Sequence, residues 1–197
     1  MRVRVTMSIL VMVIASVAWP SQASAQQRRN PAAGTPAFGF DVGIFVPDTN
    51  TPPEQRFKKT LVIDGLAEFY ITPRFSVRGT LAWCEPELDV FPGNQQRQTR
   101  LLGNVLYNWE GGAWHPFATA GVGAYFLKLT GPRFLALGYQ GRVRAGGNVG
   151  GGLEYFASPG GTIKFEVTYH FVSYDEPLYD PLNASGLNLT VGLKKYF

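Results

Sequence analysis

Residues 186–197 read GLNLTVGLKKYF, and the period of that stretch decides the fold. Leu187, Leu189, Val191, Leu193 and Phe197 fall on one parity, and Asn188, Thr190, Gly192, Lys194 and Tyr196 fall on the other. Chain ends usually fray, so a strand pattern that runs to the last residue calls for a fold in which the final strand has a partner. A period of two is the signature of a strand with two unlike faces.

Working back from that stretch, the same period returns seven times in segments of about ten residues. Phe38, Phe40, Val42, Ile44 and Val46 oppose Gly39, Asp41 and Gly43; over 60–70, Leu61, Ile63, Ala67 and Phe69 oppose Asp64 and Glu68. Over 75–84, Phe75, Val77, Leu81 and Trp83 oppose Ser76, Arg78 and Thr80. Over 99–109, Leu101, Val105, Tyr107 and Trp109 oppose Arg100, Asn104 and Asn108, with Leu102 and Leu106 breaking the contrast. Residues 116–128 set Ala118, Ala120, Val122, Ala124 and Phe126 against Thr119, Gly121, Gly123 and Tyr125. Residues 145–156 set Val149, Leu153 and Tyr155 against Asn148, Gly150 and Glu154. Residues 162–173 set Ile163, Phe165, Val167, Tyr169 and Phe171 against Lys164, Glu166, Thr168 and His170. The total of eight is even.

The connections alternate in length. VPDTNTPPEQRFK, EPELDVFPGNQQR, TGPRFLALGYQGRVR and YDEPLYDPLNA are long, whereas ITPR, EGGAWH and ASPGG are short. Long and short links in alternation predict an all-β chain, an eight-stranded antiparallel up-and-down barrel with turns at one end and loops at the other. The polar parity carries bulky charges interleaved with glycine. The apolar parity is broad, with aromatics near the strand ends. Phe69, Phe75, Trp109, Trp114, Tyr155 and Phe197 stand beside the short turns, and Phe45, Trp83, Phe126, Tyr169 and Phe171 stand toward the long loops. Two aromatic belts around an aliphatic band suit a wall that faces lipid. Closure satisfies the backbone in hydrocarbon, which an open sheet cannot do.

The start of the chain predicts the compartment. MRVRV, an apolar run from about Met7 to Trp19, and Ala23-Ser24-Ala25 have the layout of a secretory signal peptide over residues 1–25. The run is too short to span a bilayer, which takes about 20 helical residues. Residues 26–36 read as a short polar leader and 37–197 as the barrel domain. Loss of Arg2 and Arg4 with the signal lowers the formal charge from +4 to +2, so no nucleic-acid partner is expected. One cysteine, Cys84, excludes an internal disulfide framework.

With these residues in view, the chain resembles the eight-stranded outer-membrane β-barrel family, the OmpA/OmpX-like group. The resemblance spans about Phe38 to Phe197 and rests on the alternating segments, the hairpin from GNVLYNW to HPFATAGVGAYF, and the strand ending in Phe197. It implies localisation in the cell outer membrane, contact with outer-membrane lipids and lipopolysaccharide, and a monomer. It also implies handling by periplasmic chaperones and the barrel-assembly machinery. Gly192, Leu193, Tyr196 and Phe197 would form the assembly signal, with Lys195 departing from the usual pattern two positions before the end.

Several groups invite a functional reading. The inward parity collects Asp41, Asp64, Glu68, Glu154 and Glu166 against Arg78, Arg100, Lys164 and Lys194. These could line an ion pathway, but eight strands leave an interior just wide enough for side chains, so a charge-paired plug is expected. His170 is expected to bond an interior carboxylate. His170 and Ser173 differ from the His-x-Ser pair of lipid A deacylases, because two intervening residues send them to opposite faces; no catalytic residue, cofactor or metal is expected. His115 reads as a turn residue and Cys84 as a small buried one. GGNVGGG lacks the context of a phosphate cradle, and the sequons at Asn183 and Asn188 read as chance. The third long loop, with Arg133, Phe134, Tyr139, Arg142 and Arg144, reads equally as a lid or a ligand-binding loop. The functional expectation is a non-enzymatic barrel with a structural or surface-interaction role, with a narrow channel or a lipid-modifying enzyme as the alternatives.

Overall fold

The computed structural model describes residues 31–48, 56–109, 112–132, 136, 141–172 and 184–197. Eight strands follow one another: β1 (Pro36–Pro47), β2 (Thr60–Tyr70), β3 (Phe75–Cys84), β4 (Gln95–Asn108), β5 (Trp114–Thr130), β6 (Arg142–Ser158), β7 (Gly161–Val172) and β8 (Gly186–Tyr196). Each pairs antiparallel with the next, and β8 pairs with β1, giving a closed up-and-down barrel. No described helix is long and apolar enough to cross a membrane; the crossing is made by strands.

The register fixes the shape. Starting at Ala37, the ladder runs through Glu68, Arg78, Asn104, Gly121, Asn148, His170 and Gly186 and re-enters β1 at Pro47, ten residues further on. A stagger of ten over eight strands tilts them by about 40°, inside the range for membrane barrels. At that tilt about 9–11 residues cross the hydrocarbon, which matches β1, β2 and β3 at 12, 11 and 10 residues.

The outer face is apolar and bare. Val77, Leu81, Leu101, Val105, Val122, Val149, Leu153, Val167, Leu189 and Val191 form an exposed aliphatic band. At the short-turn end, aromatic pairs close a belt: Phe38 with Phe197 at 5.9 Å, Phe75 with Tyr107 at 5.1 Å, and Trp114 with Tyr155 at 4.8 Å between ring centroids. At the other end stand Trp83, Phe126, Tyr169 and Phe171. So large an apolar surface on a single chain is unstable in water and suits lipid.

Three strands extend beyond the alternation. β4 starts four residues earlier than residue 99, β5 runs from Trp114 to Thr130, and β6 starts at Arg142. Past the loop-side aromatics the lipid-facing contrast stops, but ladder pairing continues, with Gln95 opposite Thr130 and Leu127 opposite Arg142. The β4–β5–β6 ribbon therefore rises above the apolar band. Beside it, Phe57, Leu88 and Leu129 pack as a small separate core, joined by Phe91. Backbone bonds from Lys58 N to Glu87 O (2.7 Å) and from Asp89 N to Arg56 O (2.8 Å) lock the second long connection against the segment leading into β2.

The barrel interior as candidate functional site

Alternation on closed, tilted strands sends one set of side chains into the lumen. Toward the turn end, Tyr70, Phe156, Tyr196 and Ala37 form an aromatic floor, with the Phe156 and Tyr196 rings stacked at 5.4 Å. His115 completes it. It lies in β5, not in the preceding turn as its sequence position suggested; its ring packs on Phe156 at 4.6 Å, and Nε2 lies 2.9 Å from the Gly112 carbonyl.

An ionic network stands on this floor. Arg78 donates from Nε to Glu68 (2.9 Å) and from Nη1 to Glu166 (2.7 Å). Lys194 donates to Glu68 (3.1 Å), Glu154 and the Tyr70 hydroxyl (3.3 Å). Lys164 pairs with Asp41 and with Glu166, both at 2.6 Å. Hydroxyl donors saturate the carboxylates further: Ser76 to Glu68 (2.7 Å), Tyr196 to Glu154 (2.6 Å) and Thr168 to Glu166 (3.0 Å). Ions buried this deeply demand partners; Asp41 has Lys164 alone, and each of the others has two or more.

A second tier closes the loop-side half. Arg100, fully buried, lies over the Phe45 ring at 4.2 Å and donates to Gln98 (2.7 Å), Asn188 (3.2 Å) and the Cys84 sulfur (3.3 Å). The expected carboxylate partner for Arg100 is absent: it forms no ion pair among the described residues, and a ring face with neutral acceptors takes that place. Phe45 thus belongs to the lumen and not to the loop-side aromatic belt; it shares the parity of Asp41 and Gly43. His170 is likewise corrected. Its Nδ1 meets the Tyr125 hydroxyl at 3.0 Å in place of a carboxylate. Asn188 is buried in this tier, while Asn183 and Ser173 lie outside the described residues.

Leu102, Leu106 and Phe117, which blurred or escaped the pattern, are buried on the same inner side. Glycine makes this crowding possible. A Cβ on Gly152 would stand 2.7 Å from the Phe117 ring, and one on Gly192 would stand 1.8 Å from Asp41 Oδ1 and 2.5 Å from the Phe40 carbonyl. Gly192, read as part of an assembly signal, is thus the space into which Asp41 leans, and Tyr196 is a floor residue. Gly192→Ala is expected to lower barrel stability by about 1–3 kcal/mol, the usual range for overpacking. Urea titration of the refolded variant checks this, with a smaller loss for Gly65→Ala, whose Cβ meets nothing within 4 Å.

Between the two tiers lies a cavity of about 30 Å³, bordered by Asp41, Asp64, Asn148, His170 and neighbouring threonines. It is a pocket in a filled interior. Among the described residues no group of three or more His, Cys, Asp and Glu side chains could hold a metal ion. Of the third-loop candidates, Arg142 and Arg144 belong to β6, opposite Leu127 and Tyr125, and Arg133, Phe134 and Tyr139 lie outside the described residues.

A closed eight-stranded barrel with a lipid-facing band and a charged, filled lumen is a transmembrane β-barrel. The chain belongs to the outer membrane protein beta-barrel domain family, whose model matches residues 8–194, and that family places it in the outer membrane. Its fold is similar to that of OprG from Pseudomonas aeruginosa (TM-score 0.62, 13% identity, 87% of this chain and 99% of that one). It is also similar to Neisserial surface protein A (TM-score 0.61, 13% identity, 85% and 99%). A third is Ail, the attachment invasion locus protein of Yersinia pestis (TM-score 0.54, 13% identity, 84% and 99%). Comparison with curated protein sequences gives no match.

Proposed function

We propose that the protein is a non-enzymatic outer-membrane barrel that acts through its loop end, in envelope integrity, adhesion or ligand binding. The observation that supports this is the filled lumen. Arg78, Lys164 and Lys194 bind four carboxylates across it, and Arg100 seals the tier above. A wall so plugged leaves surfaces, and not a pore, as the working parts. At the loop end the β4–β5–β6 ribbon and the Phe57–Leu88–Leu129 core present a preformed platform.

On its lipid side, Arg97 and Lys128 face each other across β4 and β5, just beyond Phe126. They suit the phosphates of lipopolysaccharide, with Arg97 also paired to Glu85. Export by residues 1–25, and delivery by periplasmic chaperones to the barrel-assembly machinery, complete the reading. Reconstituted in a planar bilayer, the protein is expected to show no steady conductance of porin size. Large, stable openings would replace this reading with a channel, and altered lipid A masses in expressing cells would replace it with an enzyme.

A further inference from the structure

Five buried side-chain atoms without a hydrogen-bond partner belong to residues that border the cavity between the two tiers. They are Asp41 Oδ1, Asp64 Oδ1, Arg78 Nη2, Asn148 Nδ2 and His170 Nε2. They come from five strands, β1, β2, β3, β6 and β7, and so converge on one space from around the wall. Buried polar atoms are rarely left bare, because burial has taken their bonds to solvent. So many in one place point to a shared partner.

The bonds around the cavity stop short of one another. The ionic network ends at Asp41, held by Lys164, and at Arg78, whose Nη2 is 4.0 Å from Glu154 and too far to bond it. Asn148 accepts from Asn104, which also donates to Thr119. His170 bonds Tyr125 through Nδ1, and Arg100 bonds Gln98, Asn188 and Cys84. Among the described residues, no side-chain hydrogen bond or ion pair joins the ionic network to the Arg100 tier.

The walls decide the occupant. Arg78 and Lys164 line the cavity, which disfavours a metal cation, and Asp41 and Asp64 line it too, which disfavours an anion. What fits is a neutral molecule that donates to carboxylates and accepts from a guanidinium and an amide. The cavity measures about 30 Å³, and one water takes about 10–15 Å³ of such volume. Two waters therefore fill it. A buried water makes about three bonds, within a range of about 2–4. Five wall atoms and one bond between the waters satisfy that range for both.

We propose that the cavity is a binding site for two structural waters, which join Asp41 and Arg78 of the ionic network to Asp64, Asn148 and His170. With them the two tiers become one hydrogen-bonded network that spans the lumen. Waters held this way act as fixed partners and do not screen charge as bulk solvent does. The inference concerns the lumen alone and stands whatever the loop end binds.

The test is a crystal structure of the refolded protein at a resolution that shows ordered water. Two water peaks are expected in the cavity, each within hydrogen-bond distance of at least two of the five atoms. An empty cavity, or side chains rotated to bond one another directly across it, would overturn the site. Ala82 supplies a second readout, since it is buried, borders the cavity and stands opposite Asp64 in the ladder. Ala82→Val fills space without offering a polar atom. It is expected to lower, by several degrees, the temperature at which the folded, unboiled form converts to the unfolded form on a gel. Ala82→Ser offers a hydroxyl in place of one water and is expected to leave that temperature nearly unchanged. A Val variant at least as stable as the wild type would mean a dry void and would overturn the site. If Ala82→Val fails to refold, the crystal structures of the wild type and of Ala82→Ser, with one water peak fewer, give the same decision.

Discussion

Replacing Arg78 with Ala is expected to cost the barrel about 3–5 kcal/mol, the range for removing one member of a buried ion pair. Arg78 holds Glu68 at 2.9 Å and Glu166 at 2.7 Å, and its side chain is 3% exposed. Without it, Glu166 keeps Lys164 and Glu68 keeps Lys194, so two cations must then serve the four bonded carboxylates. Arg78→Lys keeps the charge but loses the fork that reaches two carboxylates at once, so its loss should be smaller though still clear. Urea unfolding of the refolded barrel, followed by tryptophan fluorescence, measures both. A loss below about 1 kcal/mol for Arg78→Ala would mean that water already reaches the network and screens it as it screens surface pairs.

Deleting Phe197 should produce a different pattern, with a large loss of outer-membrane insertion in cells and a small loss of stability in detergent. Phe197 lies one residue beyond β8, is 67% exposed, and touches Phe38 of β1 across the closing seam. Full burial of a Phe contributes at most about 1.5–3 kcal/mol, and this ring is mostly uncovered by protein. Its value on this reading lies in recognition of the last strand before the seam closes. Pulse-chase measurement of surface-exposed protein, beside refolding yields in detergent, separates the two effects. Normal insertion of the deletion would make Phe197 an ordinary strand end. Lys195→Tyr, on the lipid-facing parity, should insert as well as the wild type or better.

The lipid-facing half of this fold was legible because hydrocarbon imposes a strict rule on every second residue. Val122, Val149 and Val191 could be assigned to the outside from alternation and short turns, and the inward parity of Asp41, Arg78 and Lys164 followed. Partners inside the lumen were not legible. The ladder shows which residues are neighbours along the wall, whereas Arg78 reaches from β3 to Glu166 on β7, a contact fixed by barrel diameter and stagger. Phe45, Tyr70, Phe117 and Phe156 carried a usable signal, since each shares parity with an inward polar residue, but Phe45 was read into the lipid belt for its aromatic character and the other three were given no place. The extent of β4, β5 and β6 escaped for another reason. Above the membrane, strand pairing continues in water without the apolar contrast that marks it below.

The lumen ties also act mechanically, like spokes in a wheel. Lys164 on β7 holds Asp41 on β1, and Lys194 on β8 holds Glu68 on β2, so two ionic spokes straddle the line where the ends of the sheet meet. Neither can form while that line is open, and an open rim would leave their charges stranded beside lipid as well as a row of backbone groups unpaired. The ring therefore cannot gape a little at its joint. It is either shut, with hub and rim braced together, or it has come apart.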